Sequence, residues 1–296
     1  MRPQALVTVI IALGLAGASE VRAAPPYALP WHLRGATPTR VIRLDSVVAR
    51  YEDAAGRSGS TRVALLLASA KVGAQTSVLG RIGVVNNEPP TGAGASVLTN
   101  LIVGTEFAPR SSGAWRVGFY GLVGLPIGGG GGNDPRPAAS TAIKSGPLAR
   151  SAMDNTMFAV NDLVVLPGVD VALVAQGWTV QGEATLFELW RVRGERKQPD
   201  ARRTNFTCGL HVGRFVTDGL SLGGELRYQR WLSTPAAVAA NPKSRDTATL
   251  AFGPRFHIKT GEKSWLRPGV AVALPLDAPM KDADYLTVQI DLPYVF

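Results

Sequence analysis

Cysteine is almost absent: Cys208 is the only one in 296 residues. That excludes an internal disulfide and any multi-cysteine metal site. Charge is scarce as well, at 18% of residues, where about a quarter is usual for a soluble domain. There are three histidines, His32, His211 and His257, and none makes a His-x-x-x-His pair, so no metal site is expected. The loop acids Asp277, Asp282 and Asp284 have no histidine beside them. After the first two dozen residues no eighteen-residue apolar run occurs. The best stretch, Thr156 to Trp178, is broken by Asn161, Asp162, Pro167, Gly168, Asp170, Gln176 and Gly177. A membrane-crossing helix is therefore excluded there. Net charge is +9, yet no basic cluster interleaves with aromatics, so nucleic acid is not an expected partner. The five glycines Gly128 to Gly132 run into Asn133, Asp134 and Pro135, not the Gly-Lys-Ser/Thr that a phosphate loop needs. No cofactor is expected.

The start of the chain has the form of a secretory signal. Arg2 precedes an apolar stretch from Ala5 to Ala18, and Val21-Arg22-Ala23 offers a cleavage site. Residues 1–23 are expected to be a signal peptide. Residues 24–38 are Pro-rich and without period, and are expected to be a periplasmic lead-in.

From Thr39 onward, stretches of ten to fourteen residues alternate apolar with polar, the period of a strand with one greasy and one wet face. Twelve are recognised: Thr39–Tyr51, Thr61–Val72, Thr76–Asn87, Ala95–Ala108, Trp115–Ile127, Leu163–Gln176, Thr179–Arg193, Thr204–Val216, Leu220–Leu232, Thr247–Lys259, Ser264–Leu276 and Tyr285–Phe296. Two resist. Thr61–Val72 is apolar on both faces, and in Thr179–Arg193 the alternation slips near Phe187-Glu188-Leu189, as a bulge would cause. Connections alternate between short turns, such as Thr217-Asp218-Gly219, and longer loops, 128–162 being the longest. That loop is expected to be flexible, with Ser151 to Val160 as a possible helix or constriction. Trp115, Phe119, Trp190, Tyr228, Trp231, Trp265, Tyr285 and Tyr294 fall mostly near strand ends, as in aromatic girdles at lipid interfaces.

The last strand is the clearest. Leu286, Val288, Ile290, Leu292, Tyr294 and Phe296 share one face, and Thr287, Gln289 and Asp291 the other. A final strand of this kind, ending on an aromatic residue, resembles the closing strand of Gram-negative outer-membrane β-barrel proteins. The resemblance implies an all-β fold, a transmembrane antiparallel up-and-down barrel of about 12 strands over residues 39–296. It also implies that Tyr294 and Phe296 form a signal for the barrel-assembly machinery, and that outer-membrane lipid and lipopolysaccharide are partners. Outer-membrane phospholipases place a serine two residues after the base histidine. Here Gly213 follows His211 and Lys259 follows His257, and His32 precedes the strands, so no catalytic residue is assigned.

The wet faces carry Arg43, Asp45, Arg81, Glu106, Arg116, Asp170, Glu183, Glu225, Arg227, Arg255, Arg267 and Asp291. These are expected to line the lumen, either as a selectivity lining or as a structural charge network. They comprise six arginines and six acids, so Arg–carboxylate pairs crossing a narrow interior are expected. The excess positive charge is then expected at the rims, for example at Arg196, Lys197, Arg202 and Arg203. The expected function is an outer-membrane channel or uptake pore for a small solute. The alternatives are an outer-membrane enzyme acting on lipid or lipopolysaccharide, or a closed structural barrel. Deleting Phe296 should impair membrane assembly far more than Val295→Asp, read by cell fractionation and heat-modifiability on gels. Equal insertion of both variants would contradict the reading of the last strand.

Overall fold

The computed structural model describes residues 27–36, 39–109 and 113–296. The expected signal peptide, 1–23, lies outside them. Twelve antiparallel strands follow in chain order: β1 Val41–Glu52, β2 Ser58–Lys71, β3 Thr76–Glu88, and β4 in two pieces, Ala95–Leu98 and Leu101–Phe107. Next come β5 Trp115–Leu125, β6 Asp162–Ala175, β7 Trp178–Arg191, β8 Arg202–Thr217 and β9 Leu220–Trp231. The last are β10 Asp246–Phe256, continued by Ile258–Lys259, then β11 as Trp265–Leu266 and Gly269–Pro275, and β12 Leu286–Val295. Each strand pairs with its neighbours, and β12 returns to β1 with Val41 opposite Val295. Closure leaves no strand edge, the only way a sheet can satisfy its backbone in lipid. No helix among the described residues is long and apolar enough to cross a membrane.

The two faces differ as the alternation dictates. On β12, Leu286, Ile290 and Leu292 point outward and are exposed, while Thr287, Gln289 and Asp291 are buried. Similar outward residues recur around the wall, among them Leu44, Leu66, Leu226, Leu250 and Phe252, each 40–50% exposed. In water such a continuous apolar surface would be an aggregation liability; against lipid it is the solvated face. Cys208 lies outward beside Phe206 and Leu210. Tyr285 departs from the expected girdle. It is buried inside the mouth and stacks on Tyr51, ring centroids 5.0 Å apart.

Both difficult strands have the same explanation. In β2, Val63 and Leu65 point inward and Leu66 outward; in β7, Phe187 and Leu189 point inward. The inward apolar residues of β2 and β7 belong to a packed core inside one end of the barrel. What fills it is loop 128–162, folded into the lumen instead of hanging free. The loop carries helix α1, Pro137–Ala149, and a short turn α2, Asn155–Phe158. Ala139, Ala142, Ile143, Gly146 and Ala149 are buried, a stripe at helical spacing. Four of the five are Ala or Gly, which lets a helix fit within a ring of twelve strands. A Cβ on Gly146 would run into the ring of Phe158. The expected bulge in β7 is not there. Its pairing with β8 keeps one register from Trp178 to Trp190; a shift does occur at Leu220/Ser221, at the opposite, short-turn end between β8 and β9.

If the outward face is lipid-bound, cost should follow depth. Leu226→Arg, in mid-strand, should destabilise the barrel by about 2–4 kcal/mol, and Leu222→Arg, near the strand end, by less. Folding titrations into lipid vesicles measure both; equal costs would contradict this placement.

Candidate functional site: the barrel interior

Residues 27–36, expected as a periplasmic lead-in, run instead through the barrel interior, with Ala28, Trp31, Leu33 and Ala36 buried. An extended segment inside a barrel has no strand partner, so its backbone must be satisfied otherwise. The wall supplies ionised side chains. The Glu225 carboxylate, fully buried, accepts from the Trp31 N–H at 2.8 Å and the His32 N–H at 3.0 Å. Arg255 donates to the Leu29 carbonyl at 3.1 Å and to the Pro30 carbonyl at 3.3 Å. Arg43 donates to the carbonyls of Pro30 and Trp31. Glu183 accepts from the Arg34 N–H at 2.6 Å and from its guanidinium at 2.7 Å. Thr179 accepts from the Ala28 N–H at 2.9 Å, and Gln181 donates to the Arg34 carbonyl at 2.6 Å. Charge-assisted bonds of this kind are stronger than neutral ones. Arg34 also lies over the Tyr120 ring, 4.3 Å from its centroid.

The folded loop is held the same way from the other end. Arg150, just past α1, is fully buried and grips Asp45 on β1 through two nitrogens, at 2.8 and 2.6 Å. It also donates to Asp154 at 2.9 Å, and Arg81 on β3 bonds Asp154 at 2.5 Å and Asp45 at 3.4 Å. Two guanidiniums and two carboxylates thus form one closed quartet. In Asp154, burial would raise the pKa, but Arg81 and Arg150 outweigh it and hold the carboxyl below its ordinary value. The two inserted segments meet at His32. Its ring lies 4.0 Å from Asp154 and 3.8 Å from Glu225, and neither ring nitrogen has a hydrogen-bond partner among the described residues. Burial, then the positive charge of Arg150, pushes His32 well below its ordinary pKa, so it is neutral. His32, expected outside the barrel, sits inside it between Asp154 and Glu225.

The twelve wet-face residues divide as follows. Arg43, Asp291 and Arg255 form a triad, with Asp291 accepting at 2.7 Å from Arg43 and 2.5 Å from Arg255. Arg227 bonds Glu225 at 2.6 Å. Asp45 and Arg81 join the quartet, and Glu183 pairs with Arg34. Asp170, Glu106 and Arg267 are buried but make no ion pair among the described residues. Arg116 does not join the others; it caps its own turn, bonding the Gly113 and Trp115 carbonyls. At the loop end Arg202 is exposed, whereas Arg203 turns in to Asp162. The sequence reading missed four charged or ionisable partners, His32, Arg34, Arg150 and Asp154. All sit on segments without strand period, where no face could be assigned.

Ser221 and His257 stand 2.8 Å apart, Oγ to Nε2, and both are buried. His257 Nδ1 has no partner among the described residues, where a hydrolytic triad places an orienting carboxylate. Phe215 covers the imidazole, ring centroids 4.5 Å apart, and neither member of the pair lines the interior cavity described next.

A cavity of about 260 Å³ lies between the inserted N-terminal segment and the wall of β1 to β5, β11 and β12. Its lining runs from Ile102 and Leu122 in mid-barrel to Thr39, Ser69 and Val295 at the short-turn end.

No protein-family model matches this chain, and no curated protein matches it. Among solved structures it is similar to an outer membrane channel from Pseudomonas putida F1, with a TM-score of 0.56 and 14% identity, covering 94% of this chain and 100% of that one. It has looser likenesses to the NanC porin (TM-score 0.49, 8% identity, 86% of this chain and 98% of that one) and the KdgM porin (0.48, 8%, 86% and 99%). The fold is that of an outer-membrane barrel.

Glu225 ties the inserted segment, Arg227 and β9 together with no exposed surface. Glu225→Gln should cost about 3–5 kcal/mol, because Arg227 is left buried without its counter-charge. Arg230→Gln, which loses only the exposed pair with Asp246, should cost little by comparison, since exposed pairs are screened by water. Urea unfolding from lipid vesicles measures both; similar costs would contradict the interior network's role.

Proposed function

We propose that this chain is a channel for small solutes in a bacterial outer membrane, with a lumen narrowed from both ends by inserted chain. The observation that carries this reading is the cavity of about 260 Å³ left inside a closed barrel whose interior is polar and charged. A barrel serving only as a structural post has no need of such a space. Eight strands leave an interior just filled by side chains and sixteen leave an open channel. At twelve, the inserted segments decide the bore. In this reading residues 1–23 are an export signal and 39–296 the membrane domain. The short-turn end faces the periplasm, as in outer-membrane barrels. Exposed Arg196, Lys197 and Arg202 at the loop end then meet lipopolysaccharide phosphates, and Tyr294 with Phe296 addresses the assembly machinery.

The wall residues Arg43, Asp45, Arg81, Glu183, Glu225, Arg227, Arg255 and Asp291 act first as the fastening of the inserted chain and only through it on permeation. Planar-bilayer recording tests this. The wild-type protein should give small conductance steps, and deletion of residues 27–36 should raise them several-fold. Glu183→Gln with Glu225→Gln, which keeps the chain intact but weakens its hold, should raise them less. Absence of conductance in all three would favour the closed structural barrel.

A further inference from the structure

Six charged residues line the interior cavity: Arg34, Arg43, Asp45, Arg81, Glu106 and Arg267. Four have a counter-charge at hydrogen-bond distance. Arg34 has Glu183 at 2.7 Å, Arg43 has Asp291 at 2.7 Å, Asp45 has Arg150 at 2.6 Å, and Arg81 has Asp154 at 2.5 Å. Two have none among the described residues, and they are of opposite sign. Glu106, on β4, takes one bond from the Ser77 hydroxyl at 3.3 Å on Oε2, while its buried Oε1 has no partner. Arg267, just before the second piece of β11, gives one bond to the Tyr27 carbonyl at 3.3 Å, and its buried Nε has no partner.

These two charges cannot neutralise each other. From β11 to β4 the wall passes through β12, β1, β2 and β3, so they stand five strand positions apart in a ring of twelve and face one another across the interior. An uncompensated buried charge costs several kcal/mol. Here one of each sign is retained on a single cavity, and between them the lining is largely aliphatic, with Leu29, Leu33, Leu67, Leu79, Ile102 and Leu122. A volume of about 260 Å³ is below the usual range for drug-sized ligands, roughly 300–1,000 Å³.

We propose that this cavity binds a small amphipathic zwitterion whose ammonium and carboxylate stand at opposite ends of an apolar body, of the size of a six-carbon ω-amino acid or a dipeptide. Its ammonium group bonds Glu106, its carboxylate bonds Arg267, and its apolar body lies along the leucines. The inference deepens the channel reading by naming the class of solute and rests on it for physiological meaning, but binding itself can be measured without conductance.

The test is equilibrium dialysis of the full-length protein in detergent at pH 8 with three isotopically labelled probes: the zwitterion 6-aminohexanoate, the cation hexylamine and the anion hexanoate. The zwitterion should bind at least about tenfold tighter than either singly charged analogue, the loss of one charged hydrogen bond being worth that much. Glu106→Gln should abolish the preference for the zwitterion over the anion, and Arg267→Gln the preference over the cation. This crossed pattern is one that a merely structural role would not give. Heat-modifiability on gels verifies that both barrels fold; if either does not, Ser77→Ala, which leaves Glu106 with no partner but solute, replaces it and should keep the preference for the zwitterion. Equal binding of all three probes, binding of none, or a preference that neither substitution moves would overturn the proposal. Zwitterion binding without conductance in any variant would leave the site standing and remove the channel.

Discussion

Every polar group inside a closed barrel must find its partner inside that barrel. The wall's own backbone is satisfied by its ladder, and its outer face is given over to Leu, Val, Ile and Phe. The inner face carries the buried charge of the strands, among it Asp45, Glu183, Glu225, Arg227, Arg255 and Asp291. Charges so confined need counter-charges or donors at short range, since water inside is scarce and an unpaired ion is costly. The architecture of this interior follows from that constraint. Two pieces of chain that are not strands enter from opposite ends, and each is fastened by the ionised residues that the wall would otherwise leave stranded.

The two fastenings differ in kind. At the loop end, guanidiniums and carboxylates on side chains pair with each other, in the quartet of Arg81, Arg150, Asp45 and Asp154. Beneath the quartet, α1 brings a small-residue face against Val63, Leu65 and Val85, so packing adds to charge. At the short-turn end the wall's ions grip the backbone itself: Glu225 takes two N–H groups, and Arg43 and Arg255 take three consecutive carbonyls between them. Apart from the Arg34 guanidinium on Glu183, the wall's ions read backbone and not side chain of the segment they hold. Such a grip is compatible with a stretch as irregular as Tyr27-Ala28-Leu29-Pro30.

That contrast accounts for what could be read from the sequence. The strands were legible because a period of two is imposed on every residue by membrane and lumen together. Asp45, Glu225 and Asp291 could be assigned inward from alternation alone. The inserted segments obey no such period. Pro30 and the absence of alternation make residues 24–38 look like an external lead-in, and they leave the long loop open between a free loop and a constriction with Ser151 to Val160 folded into the mouth, the second of which the structure shows. A trace of the insertion was present nonetheless. Thr61–Val72 is apolar on both faces because Val63 and Leu65 face a packed helix and not water. The apparent slip at Phe187 and Leu189 has the same origin. In a barrel strand, loss of alternation toward the apolar side is a sign of something folded against it. The balanced count of wet-face charges suggests that they pair with one another, and seven do: Arg43 and Arg255 with Asp291, Arg227 with Glu225, and Arg81 with Asp45; what alternation could not show is that the same wall also holds Arg34, Arg150, Asp154 and the backbone of residues 29–32.

The central claim is that residues 27–36 occupy the interior, with their backbone held by wall carboxylates. Amide hydrogen exchange of the protein in detergent or lipid tests it directly at three N–H groups, those of Trp31, His32 and Arg34. The account predicts protection comparable to that of the β9 ladder at all three, since each donates to a buried carboxylate. Exchange at the rate of an unstructured peptide would contradict it.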